Sequence, residues 1–149
     1  MKKYAYTLLE VVFVIVIIGI LSAVAIPKFA GMKQQATIAN GRSDIAAIRS
    51  SILSERQGRL VRGEKSWIGS LSDNKESLFE GSDANHTLLY YGIKSGNGNG
   101  KWQALDDEAP YLHYSYTIDT EDCNFTYDPQ SGKFTLDSEA SDVCKKLVE

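Results

Sequence analysis

Between Val11 and Pro27 the chain carries no charge, and from Tyr4 to Pro27 the only ionisable acid or base among Asp, Glu, Lys and Arg is Glu10. About twenty apolar residues suffice for a helix to cross the ~30 Å of bilayer hydrocarbon, so this stretch is long enough to span. One carboxylate at its start is out of place there. A charged side chain in hydrocarbon costs roughly 2.5 to 3.5 kcal/mol on insertion scales for Asp, Lys or Arg, so a retained Glu calls for a partner or a role. Lys2 and Lys3 precede the run and Lys28 follows it. A short basic N-terminus favours a cytoplasmic start with the C-terminal part exported. The rival is a secretory signal peptide, with Ser22-Ala23-Val24-Ala25 imitating its small-residue cleavage site. Against it stand Glu10 inside the apolar segment and a hydrophobic pattern that continues past that point.

The pattern continues as an amphipathic helix. Ile38, Ile45, Ile48 and Ile52 recur at helical spacing, Ala39, Ala46 and Leu53 are expected to widen their stripe, and Gln34, Asn40, Arg42, Asp44, Arg49 and Arg56 fill the other faces. Pro27 removes a backbone donor and is expected to kink the rod, with Gly31 and Gly41 loosening it further; Gly58 or Gly63 is expected to end it.

Lys2-Lys3, a short leader, a small residue, an aromatic, then Thr7-Leu8-Leu9-Glu10 and an apolar helix running into Ala25-Ile26-Pro27 form a specific order. In it, residues 1 to about 55 resemble the prepilin N-terminus of type IV pilins and type II secretion pseudopilins. The resemblance implies cleavage by a prepilin peptidase between Ala5 and Tyr6, N-methylation of Tyr6, and assembly of the helices into a filament. This chain departs from the family pattern by Ala5 where Gly is usual and by Tyr6 where Phe or Met is usual. Cleavage there would leave an ammonium on Tyr6, about one helical turn from Glu10. Brought to the Glu10 of a neighbouring subunit, that ammonium would set the axial register; an intrachain pair, or a Glu reaching the headgroups, is the alternative.

With about 55 of the 149 residues in one helix, the remainder is enough for one small domain, which needs the helix to complete its core. The net charge of −3 would become −5 on loss of Lys2 and Lys3, and nothing is basic enough for a nucleic-acid site. Cys123 and Cys144 fall in the segment expected outside the cytoplasm, where a disulfide is the natural state and two buried thiols the alternative. A disulfide-closed C-terminal segment also resembles that of many type IV pilins. Residues 57–87 read as a connecting region with a short helix near Asn74 to Phe79. Strands are expected over Leu88–Ile93, Lys101–Ala104, Tyr111–Ile118, Asn124–Asp128 and Lys133–Leu136. In the third, Leu112, Tyr114, Tyr116 and Ile118 alternate with His113, Ser115 and Thr117. The expected fold is therefore α+β: an antiparallel sheet of about four strands on the C-terminal half of a long helix, with a C-terminal disulfide loop.

Other motifs point to less. Ser95-Gly96-Asn97-Gly98-Asn99-Gly100 lacks the Lys-Ser or Lys-Thr ending of a phosphate-binding loop and reads as a flexible connection. Asp106-Asp107-Glu108 and Asp119, Glu121 and Asp122 could offer oxygen ligands to calcium but match no EF-hand spacing, and solvated turns are the simpler reading. His86 and His113 sit in no zinc spacing, and no catalytic triad can be assembled from neighbours. Tyr90, Tyr91, Trp102, Tyr111, Tyr114 and Tyr116 are expected in the core and at subunit contacts. Asp83-Ala84-Asn85-His86-Thr87 and Asp122-Cys123-Asn124-Phe125-Thr126 both match an acidic extended N-glycosylation acceptor, which makes Asn85 and Asn124 candidates.

The expected organisation is a leader over 1–5, a transmembrane and filament-core helix over 6–27, its amphipathic half over 28–57 and a periplasmic head over 58–149. The expected function is a structural, non-enzymatic subunit of a type IV pilus or type II secretion pseudopilus. Before assembly it would cross the inner membrane once, N-terminus in the cytoplasm. Its partners would be like subunits, prepilin peptidase, an inner-membrane assembly platform and lipid; no cofactor is required. A periplasmic enzyme or solute-binding domain on a single-helix tether is the rival, and needs neither Glu10 nor a continuous amphipathic rod.

Overall fold

The computed structural model describes residues 7–82 and 87–149. The chain forms two compact units, Met1–Gln35 and Ala36–Glu149. Helix α1 runs Leu8–Val61 and continues through Pro27, whose missing N–H leaves the Ala23 carbonyl without its helical donor. Its stop is well defined. Gly63 takes φ +85°, the Gly63 N–H donates to the Leu60 carbonyl (3.0 Å) and the Glu64 N–H to the Arg59 carbonyl (2.9 Å), the two bonds of a Schellman cap. Arg59 and Arg62 lace the same end to Glu55 and Glu64 over 3.0–3.5 Å.

Within the second unit, the sheet β3 (Trp102–Ala104), β4 (His113–Ile118), β5 (Glu121–Asp128) and β6 (Lys133–Leu136) is antiparallel in simple sequence order. The expected four-stranded sheet and α+β class are thus present. Ile38, Ile45, Ile48 and Ile52 are all buried, as are Tyr114, Tyr116 and Ile118 on the facing strand. Helix and sheet are also tied by polar bonds. The Tyr116 hydroxyl donates to the Thr37 carbonyl (2.8 Å), the Trp102 indole to Asp44 Oδ2 (3.0 Å) and Arg49 to the Phe134 carbonyl (3.1 Å). Burial pushes the Asp44 carboxyl above its ordinary value, against the pull of the indole bond, so its charge is a cost that Trp102 partly offsets.

Several expectations are corrected. Ala39, Ala46 and Leu53 do not widen the buried stripe; all three are exposed, because the sheet covers only the isoleucine face. Residues 74–79 form no helix. Asn74 Oδ1 accepts the N–H groups of Glu76 (2.9 Å) and Ser77 (2.8 Å), a local turn that competes with helix and leads into β1 (Ser77–Leu78). Of the strand expected over 88–93, only Ile93 pairs, in β2 (Ile93–Lys94) against β1. The strand expected from Tyr111 starts at His113, since Asp106 holds the preceding backbone; that expected from Asn124 starts at Glu121, where a two-residue turn already pairs Ile118 with Glu121. Tyr90 and Tyr91 lie outside the core, 85% and 82% exposed. The connecting region is more than a linker: Ile68, Leu71, Leu78 and Phe79 are fully buried in it.

Phe79 joins an aromatic cluster with Trp102 (5.4 Å), Tyr114 (4.6 Å) and Phe134 (5.9 Å), although its φ of +64° is a strained one for a bulky residue. Burial of its ring and the bond from its N–H to Ser72 Oγ (3.0 Å) hold it there. That serine hydroxyl also meets the Tyr114 hydroxyl (3.0 Å), and among the described residues no buried side-chain nitrogen or oxygen lacks a partner.

Gly41 does not loosen α1; it admits its neighbours. A Cβ there would lie 2.7 Å from both Leu147 Cδ2 and Tyr116 Cε1. Leu147 follows the short helix α2 (Asp142–Lys145), which the Cys123–Cys144 disulfide fastens to β5, and Arg42 donates to the Lys146 carbonyl. A bridge closing about twenty residues contributes roughly 3 kcal/mol by loop-closure estimates. Gly41→Ala should therefore destabilise the fold by about 1–3 kcal/mol through overpacking. Gly58→Ala, where a Cβ meets only an Arg62 nitrogen at 3.4 Å, should stabilise it by up to about 1 kcal/mol. Denaturant melts of the detergent-solubilised chain check the opposite signs.

Candidate functional site

The start of α1 is built by its own residues. Thr7 precedes the first helical turn; its Oγ1 accepts the Glu10 N–H (3.3 Å), while its carbonyl accepts those of Glu10 (3.1 Å) and Val11 (3.3 Å). Thr7-Leu8-Leu9-Glu10 has the spacing of a capping box, of which the structure shows the Thr7 half, a signal legible in the sequence but not used in reading it. Glu10 is exposed in the first turn, where a negative charge suits the helix dipole. Around it lie Leu9, Val12, Phe13 and Val16, which with Thr7 line a shallow open groove.

The rest of this unit is apolar and uncovered. Leu8 is 85% exposed, Phe13 65%, Val24 70% and Phe29 67%, and none of the most apolar 18-residue window of α1 is buried. By length and composition this is a helix able to cross a membrane. Each large side chain of this kind contributes about 1.5–3 kcal/mol when fully buried, so a surface this continuous requires lipid or protein around it. A carboxylate at the head of such a surface is costly to bury alone, and a cation beside it offsets that cost.

Other predicted positions are placed as follows. Ala5, Tyr6, Asn85 and His86 lie outside the described residues. Pro27 is exposed inside α1. Cys123 and Cys144 are bonded to each other, so the alternative of two buried thiols does not hold. Asn124 is exposed in the middle of β5, opposite Ser115, and its carbonyl accepts the Asp137 N–H (3.0 Å). The acceptor motif there is locked into a paired strand, so no flexible loop presents it.

The acidic turns serve the fold. Asp106 accepts the N–H groups of Leu112 (2.6 Å) and His113 (2.7 Å), and one of its oxygens lies 2.7 Å from His113 Nδ1. Partial burial works against its charge, but these donors prevail and hold the carboxyl below the usual carboxylate range. Asp122 accepts the Thr117 hydroxyl (2.7 Å), and Asp107 pairs with Lys75 (3.3 Å). Among the described residues, no group of three or more His, Cys, Asp or Glu is placed to hold a metal ion.

Comparison with known proteins finds a family match that includes the start of α1. Residues 1–26 match the family described as the prokaryotic N-terminal methylation motif. Over 51 residues, 34% of this chain, the sequence is 47% identical to the type IV narrow pilus major component PilA5 of Thermus thermophilus, of which the match covers 44%. A stretch of the same length is 39% identical to the type II secretion system core protein G of Escherichia coli and covers 35% of it. The matched chain thus spans less than half the length of either relative. No solved structure matches.

Because the carboxyl of Asp106 is held low in the folded state, its contribution to stability is present above its ordinary value of 3.8 and is lost as pH falls below it. Asp106→Asn should lower stability at neutral pH and flatten the loss on acidification, as read from thermal melts across pH 2.5 to about 7.

Proposed function

We propose that this chain is a structural subunit of a pilus or pseudopilus filament of the type IV pilin and type II secretion class. The observation that carries the reading is a capped Glu10 heading an uncovered apolar helix, in a segment that matches the N-terminal methylation motif. Both relatives bear names of structural components, a pilus major component and a secretion-system core protein, and neither name describes an enzyme.

On this reading the precursor waits in the inner membrane, head outward, with its lysines in the cytoplasm. Prepilin peptidase cuts between Ala5 and Tyr6, and the new terminus is methylated. Secondary amines keep their positive charge, so the methylated ammonium of an incoming subunit still pairs with the Glu10 of a neighbour. Each charge costs several kcal/mol to desolvate, so losing one partner is worse than burying both. The assembly platform moves the helix from lipid into the filament core, where copies of the same apolar face cover one another. Pro27, with one backbone bond fewer, is the place where α1 bends to fit. Heads meet by heterologous contacts that do not close, which gives an open helical array.

Intact mass of the membrane-extracted protein should show loss of residues 1–5 and gain of one methyl; a mature terminus near Ala25 would make the segment an ordinary signal peptide and overturn the reading. Glu10→Gln should leave the membrane pool intact while reducing sheared-filament yield by at least about tenfold, the loss expected when a buried charge is stranded. Equal yield would show that the carboxylate is dispensable for assembly.

A further inference from the structure

Three Asn-Gly dipeptides occur in the chain, at 40–41, 97–98 and 99–100. Local sequence gives all three the same intrinsic tendency to deamidate, since a glycine places no side chain in the way of its own backbone nitrogen. The structure treats them differently. We infer that Asn97 is a selective site of spontaneous deamidation, and that Asn40 and Asn99 are protected by the fold.

The reaction needs the backbone nitrogen of the following residue to attack the Asn side-chain carbonyl carbon. A C–N bond forms to that carbon, the bond to the side-chain nitrogen breaks, and the displaced nitrogen leaves as ammonia with the proton from the attacking amide. Water then opens the cyclic imide at either carbonyl, giving aspartate or isoaspartate. Net, one water enters and one ammonia leaves. The attacking N–H must therefore be free of a strong hydrogen bond, and the Asn amide free to swing onto it.

Asn97 and Gly98 meet both conditions. Asn97 is exposed and neither its amide nor the Gly98 N–H has a hydrogen-bond partner among the described residues. Gly98 has φ +110° and open space where a Cβ would stand. The loop around them is held by the Gly96 N–H on the Trp102 carbonyl (3.0 Å) and the Lys101 N–H on the Gly98 carbonyl (3.2 Å), bonds that engage neither the Asn97 amide nor the Gly98 N–H.

Asn99 and Gly100, two residues on, meet neither. The Gly100 N–H donates to the Thr117 carbonyl at 2.7 Å, and Asn99 Oδ1 accepts the Asp119 N–H at 2.8 Å, where Asp119 turns β4 into β5 at φ +56°. Both reacting groups are committed. Asn40 and Gly41 lie inside α1, where the attacking nitrogen belongs to the helical ladder and Gly41 is closed in by Leu147 and Tyr116.

Conversion at Asn97 adds a negative charge to a loop flanked by Lys94 and Lys101, and isoaspartate adds one main-chain carbon to the link between β2 and β3. The inference stands on this loop alone and does not depend on the filament reading. The test is incubation of the full chain in detergent at 37 °C and mildly alkaline pH. Peptide mapping, with fragmentation that separates the three sites, then follows a mass gain of about one dalton at each. A parallel sample is reduced and unfolded in guanidinium. In the folded chain, conversion at Asn97 should exceed that at Asn99 and Asn40 by at least about tenfold, because those two sites must first open locally. In the unfolded chain the three rates should converge. Asn99 or Asn40 converting as fast as Asn97 in the folded chain would overturn the inference, as would an Asn97 slowed by folding to the level of the other two.

Discussion

An apolar helix whose start is both capped and negatively charged sets the terms for everything else in this chain. Thr7 caps the Glu10 N–H, and the Glu10 carboxylate lies exposed on the surface. In water the exposed faces of Leu8, Phe13, Val24 and Phe29 are intolerable; in lipid the carboxylate is. The proposed filament resolves both at once, since neighbouring helices cover the apolar surface and one of them brings the ammonium. A simple membrane tether resolves only the first.

The second unit solves a different problem, that of a small domain with little interior. It lets one stripe of isoleucines serve as half the core and fills the other half with large rings, Phe79, Trp102, Tyr114, Tyr116, Phe125 and Phe134. Rings this large bring polar atoms with them; the tyrosine hydroxyls are answered by backbone carbonyls, Tyr116 by Thr37, Tyr127 by Ile68 and Tyr114 by Tyr111, and the Trp102 indole by the Asp44 carboxylate. Close approach at Gly41 then brings the C-terminal Leu147 onto the helix, with the disulfide holding that segment in place.

Periodic features were legible in the sequence. The isoleucine spacing and the turn residues between strands each express a repeat that packing alone enforces, and the pair of cysteines admitted one intrachain bridge; the alternation in β4 held for Tyr114, Tyr116 and Ile118 but not for Ser115, which is buried as well. What escaped were features set by single contacts. The Asn74 turn outcompetes a helix through two side-chain bonds, which composition does not reveal. Gly41 read as a weak point because its neighbours, Tyr116 and Leu147, are far away in sequence. Asp106 read as a solvated acid or cation ligand because its donors, Leu112 and His113, become neighbours only when the loop closes. At the candidate site, Glu10 stood out by charge in an apolar run, whereas the cap by Thr7 was written in the same four residues and passed over.

The central claim is that Glu10 is neutralised across a subunit boundary. A helical reconstruction of the assembled filament at side-chain resolution measures this directly. The account predicts the carboxylate of Glu10 within about 4 Å of the terminal nitrogen of a neighbouring subunit's Tyr6, the reach of an ion pair. A filament in which Glu10 instead pairs with the terminus of its own chain, or faces no cation at all, would contradict it.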